Sequence, residues 1–84
     1  MRRVYRGSAR MTPDDLSVYR TIYSIVESKG EPPTIHVLCD KTSLPIENVR
    51  QSIYRLKRAG RVYVLNGQGR SKRYVPSWYV EGKT

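Results

Sequence analysis

The stretch from Pro33 to Val62, PTIHVLCDKTSLPIENVRQSIYRLKRAGRV, most constrains what this chain can fold into. A short apolar helix, a tight turn and a second amphipathic helix ending at a glycine follow one another with almost no spare residues. Thr34 is placed to cap the short helix, which spans Ile35 to about Lys41 and turns Ile35, Leu38 and Cys39 inward. Thr42-Ser43-Leu44-Pro45 makes the turn, with Leu44 as an apolar plug between the helices. The next helix runs from about Ile46 to Ala59, and Gly60 stops it. Its residues Val49, Ile53 and Leu56, at i, i+4 and i+7, make one core stripe.

At about 100° per residue, the opposite face of that helix carries Glu47, Gln51, Tyr54, Arg55 and Arg58, flanked by Asn48 and Arg50. A merely solvated face mixes charge signs, whereas this one has a single acid at its N-terminal end, then amides, a tyrosine and arginines. From Asn48 to Val80 there are eight Lys or Arg and no Asp or Glu.

Upstream, Thr12-Pro13-Asp14-Asp15 is a helix start: a cap, a proline suited to the first position and two carboxylates at the positive end of the helix dipole. That chemistry accounts for the aspartates better than a catalytic pair would. The helix is predicted from about Pro13 to Ser28, with Leu16, Tyr19, Ile22, Tyr23 and Val26 as its apolar positions and Lys29-Gly30 as its end. Glu31-Pro32-Pro33 is an extended link and a candidate third strand of a two- or three-stranded wing. Downstream, Arg61 to Leu65 is a strand, Asn66-Gly67-Gln68-Gly69 a turn and Arg70-Ser71-Lys72-Arg73 a basic tip. Tyr74-Val75 returns as a second strand that Pro76 ends. The expected fold is mainly α with a small β-hairpin (α+β). It divides into a basic arm over 1–11, a domain over 12–76 and a tail over 77–84.

Eighty-four residues suffice for one small domain. The charge of +9 says nothing about fold but favours polyanionic partners and fast encounter with them. Arginines outnumber lysines eleven to five, and arginine is the better fork for phosphate and guanine. Cys39, the one cysteine, cannot form an intrachain disulfide and reads as a buried small hydrophobe, not a zinc ligand. With no membrane-length apolar run and no signal-peptide core, the expectation is a soluble, intracellular, cytoplasmic protein. His36 reads as a surface residue, and no nucleophile, base and orienting acid recur together. An enzyme, a cofactor, a metal and a small-molecule ligand are therefore not expected. Tyr19 and Tyr23 read as core, and Trp78 as packed against the helices or a second subunit.

The order helix, link, helix, turn, helix, hairpin over about Thr12 to Val75 resembles the winged helix-turn-helix superfamily of DNA-binding domains. Thr34, Leu38, Leu44, Val49, Ile53 and Leu56 and the Arg58-Ala59-Gly60-Arg61-Val62 exit carry the resemblance. Many members place a small residue such as glycine where Ser43 stands, and a Ser or Thr cap where Pro45 stands. The resemblance implies double-stranded DNA as partner, with the third helix in the major groove and the wing on the backbone. Asn48, Arg50, Gln51 and Tyr54 are then the expected base-reading residues. Thr34, Arg55, Arg58, Arg70, Lys72 and Arg73 would hold phosphates, and the arm residues Arg2, Arg3 and Arg6 would enter a minor groove. Six to eight neutralised phosphates would give a log–log salt slope of about −5 to −7.

The role this implies is a small transcriptional repressor or activator, of a size suited to a virus or plasmid, dimerising through the first helix or the Trp78–Val80 tail. A narrower resemblance is to Zα domains, which bind left-handed duplexes: Tyr54, Pro76 and Trp78 look similar, as does Thr34 with His36 and Leu38. Arg50 replaces that family's asparagine, and Trp78 lies further from Tyr54 than its wing gives. The other readings are a protein–protein interaction module of the same fold and a binder of single-stranded or structured RNA.

Overall fold

The computed structural model describes residues 11–65 and 72–81. In chain order these form α1 (Pro13–Lys29), α2 (Ile35–Thr42), α3 (Ile46–Arg58), β1 (Val62–Leu65), β2 (Arg73–Pro76) and a short α4 (Ser77–Glu81). β1 and β2 are antiparallel, with Val62 opposite Pro76 and Leu65 opposite Arg73. This is the helix-rich α+β architecture expected from the sequence, with helix, turn, helix and hairpin in winged-helix-like order. The link adds one backbone bond to the sheet edge, from the Tyr74 N–H to the Pro33 carbonyl at 3.0 Å. That is less than a third strand. No helix among the described residues is long and apolar enough to cross a membrane.

The core joins Val18, Ile22 and Val26 of α1, Leu38 of α2, Val49, Ile53 and Leu56 of α3, and Val62, Tyr74 and Val75 of the hairpin. The α3 stripe is the one the sequence predicts. The α1 stripe matches the prediction at Ile22 and Val26 only. Its buried line is Asp15, Val18, Ile22 and Val26, while Leu16 and Tyr23 remain exposed and Tyr19 is half-buried. Steps of three and four residues from Asp15 fix the inner line, and Leu16 and Tyr23 lie roughly 80–100° round the helix from it. Cys39 is half-buried at the core edge, not enclosed.

Local chemistry explains the helix ends. The Thr12 hydroxyl accepts from the Asp15 N–H at 3.0 Å, and the Asp15 carboxylate accepts from the Thr12 N–H at 3.4 Å, a reciprocal cap. Gly60 has φ 75°, which lets the Arg61 N–H reach the Leu56 carbonyl at 2.9 Å and close α3. The turn before α3 depends on Ser43, a non-glycine residue in the left-handed region at φ 62°. Thr34 occupies the cap position of α2 with extended backbone, but its side chain makes no cap hydrogen bond. The expected tail is in part α4. Trp78 packs edge-on against Tyr23 of α1, with ring centroids 5.3 Å apart.

Candidate nucleic-acid interface

Successive residues of α3 fan out around its axis, and the structure shows what meets each side. Val49, Ser52, Ile53 and Leu56 are buried. The opposite arc, Glu47, Arg50, Gln51, Tyr54, Lys57 and Arg58, is exposed. Lys57, which the sequence reading left out of the site, belongs to it. Tyr54 stands at the middle of the arc and is 59% exposed. The Arg58 guanidinium lies over its ring, 5.7 Å from the centroid, and Nη1 donates weakly to the phenol oxygen at 3.4 Å. The pair is a flat, cationic surface element. Among the described residues, neither Arg50, Lys57 nor Arg58 is ion-paired with an acid.

Arg50 lies near enough to Tyr74 of β2 for its charge to act on the phenol. Burial pushes the Tyr74 hydroxyl pKa up, and the Arg50 charge opposes that rise without cancelling it. Arg61, one residue before β1, is also exposed.

Two expected site residues are tied to α1. Arg55 donates from Nε and Nη2 to the carboxylate of Asp15, at 2.9 to 3.2 Å. The Asp15 side chain is 4% exposed and that of Arg55 45%. Burial by itself raises the Asp15 pKa. Hydrogen bonds from Arg55 and Thr12, helped by the nearby Ser52 hydroxyl, outweigh burial and hold it below the ordinary carboxylate value. The buried Ser52 hydroxyl makes no hydrogen bond among the described residues, and its polarity still favours the charged carboxylate. Asn48 donates from Nδ2 to Oδ2 of Asp14 at 3.1 Å and is half-buried. Arg55, expected from the sequence to hold phosphate, is thus engaged by Asp15 while its side chain stays partly in solvent. The cause is Asp15, a buried carboxylate that requires a cation.

Arg73 also departs from its expected place. It belongs to β2, not to a loop tip, and its Nη1 donates to the Pro32 carbonyl at 2.7 Å and lies 3.7 Å from Glu31. With Ile25, Pro32, Val37 and Lys41 it lines a groove of about 260 Å³ that no α3 residue borders. Its guanidinium serves the link and that groove, because the β2 pleat turns it away from buried Tyr74. Lys72 and Thr34 are half-buried, and Thr34 precedes α2. Arg70, the Asn66–Gly69 turn and the arm residues Arg2, Arg3 and Arg6 lie outside the described residues.

The sequence reading treated Asp14 and Asp15 as helix-start chemistry alone. Their second task leaves a faint signal: two carboxylates where one completes the cap, and Asn48 and Arg55 two turns apart on one side of α3. No protein-family model and no curated protein matches this chain.

Proposed function

We propose that this chain is a sequence-specific double-stranded DNA-binding protein of winged-helix type, a small intracellular transcriptional regulator with α3 in the major groove. The observation that carries the reading is the outward arc of α3: Arg50, Gln51, Tyr54, Lys57 and Arg58 are exposed together, and its cations have no acid partner among the described residues. An amide and an arginine on such a helix match the base edges of the major groove, and the lysine and remaining arginine match its phosphates. Arg50, Gln51 and Tyr54 are the base readers of this proposal, with Asn48 at the α1 edge. Lys57, Arg58 and Arg61 are the backbone contacts.

The Z-form reading needs Tyr54 and Trp78 to work as one surface. Trp78 instead rests against Tyr23 and Tyr79, which favours right-handed DNA. Leu16, Tyr23 and Trp78, each about two-fifths exposed, give α1 and α4 an apolar strip suited to a second copy of the chain. Replacing Arg50 and Gln51 by alanine should abolish preference for a selected duplex and leave the thermal transition unchanged. An interaction module of the same fold would bind no duplex before or after. Competition by unlabelled single strands as effective as by duplex would point to an RNA- or single-strand-binding role instead.

A further inference from the structure

Asn48 is the third residue of α3, and in helix-turn-helix docking the N-terminal residues of the recognition helix reach base edges. An asparagine amide is a two-sided reader. Turned one way it offers its oxygen, turned the other its NH2, so a free amide adapts to different bases. Here that freedom is removed. Nδ2 of Asn48 donates to Oδ2 of Asp14 at 3.1 Å. A carboxylate only accepts, so the amide oxygen cannot take that position. The neighbouring contacts make the bracket firm: Asp15 is held by Arg55 and by Thr12, and the first turn of α1 is therefore fixed against α3.

We infer that Asp14 is a positioning residue for base reading by Asn48: it fixes the amide so that Oδ1 and the second N–H face outward as a donor–acceptor fork. This rests on the DNA-binding reading above. The fork matches adenine, whose major-groove edge presents the N6 amino donor and the N7 acceptor. It opposes guanine, which presents two acceptors there, one facing Oδ1. Asp14 itself touches no base. Removing its negative charge strengthens binding to every duplex alike. The diagnostic quantity is therefore the ratio of affinities between base pairs at one position, which a purely structural inter-helix bond would not alter.

The test is selection from random duplexes with the wild type and with Asn48→Ala, Asp14→Ala and Asp14→Asn. Competitive titration then measures each base pair at every enriched position. Wild type should prefer adenine at one position, and Asn48→Ala should lose that preference. Asp14→Ala should reduce it roughly three- to ten-fold, within the range a good bidentate pair supplies, and leave other positions intact. Asp14→Asn, whose carbonyl oxygen can still accept from Asn48, should retain more of it. In the free protein, the Asn48 side-chain amide resonances should move in Asp14→Ala while the backbone spectrum stays that of the folded chain. Unchanged preference in Asp14→Ala with duplex binding intact would overturn the role of Asp14. So would an Asn48→Ala variant with no altered position. Loss of all duplex binding by the wild type is a separate result, and it would overturn the DNA reading and this inference together.

Discussion

Arg55 of α3 grips the buried carboxylate of Asp15 in α1 with two nitrogens, at 2.9 to 3.2 Å. The contact joins α3 to the capped end of α1, forty residues away in sequence. Removing one partner of a buried pair typically costs about 3–5 kcal/mol. Arg55 is partly in solvent, so Arg55→Ala is expected to cost about 2–3 kcal/mol in urea unfolding, with water taking up part of the carboxylate charge. Adding Asp15→Asn to that variant should recover part of the loss, since the stranded charge is gone. A double-mutant cycle with no coupling would show the pair to be energetically idle.

Acid should find the same contact. The folded chain holds the Asp15 pKa below its ordinary value, so the carboxyl binds its proton less readily folded than unfolded. Its contribution is complete above the unfolded pKa of about 3.9 and is lost as pH falls through the lower folded value. Stability should therefore be insensitive to this group near neutrality and decline below about pH 4. Asp15→Asn should be less stable at pH 7 and show a shallower acid limb. Parallel acid limbs in the two proteins would contradict the assignment.

Ser43 supplies the left-handed turn before α3 at φ 62°. That conformation costs a non-glycine residue about 1–2 kcal/mol, and glycine gives back about 0.5–1 in chain entropy. Ser43→Gly is expected to be neutral to stabilising by about 1 kcal/mol, raising Tm by up to roughly 4–8 °C for a domain of this size. Ser43→Val should lower it. A destabilised glycine variant would mean that the serine side chain contributes something beyond its backbone angle.

Trp78, the only tryptophan, seats α4 on Tyr23. Its fluorescence therefore reports whether α4 is docked. Trp78→Ala should lose about 0.5–1.5 kcal/mol of aromatic contact as well as buried area. If the strip of Leu16, Tyr23 and Trp78 joins two copies, Tyr23→Glu should shift a sedimenting dimer to monomer. A wild type that stays monomeric at high concentration would remove the strip from the account.

The third helix was the most legible part of the chain, because Val49, Ile53 and Leu56 repeat at helical spacing with cations opposite. The first helix was less so. Its aromatic and leucine flank is as apolar as its buried line, and periodicity alone ranked Leu16 and Tyr23 above Val18. The intramolecular partners of Arg55 and Arg73 could not be found in composition. Both, Asp15 and Pro32, are remote in sequence. Charge counting places a cation on an element, but only packing determines whether that cation is already engaged. Ser43 was visible as a departure from glycine, and the structure supplies its meaning: the turn keeps its left-handed backbone without one.

The most direct test of the central claim is an amide and side-chain NMR titration with a random-sequence duplex at low salt, where contacts to phosphate give measurable affinity without a known target. Shifts should concentrate on Arg50, Gln51, Tyr54, Lys57 and Arg58, and diminish as salt rises. Shifts confined to the groove around Ile25, Val37 and Arg73, or to Tyr23 and Trp78, with α3 unmoved, would contradict it.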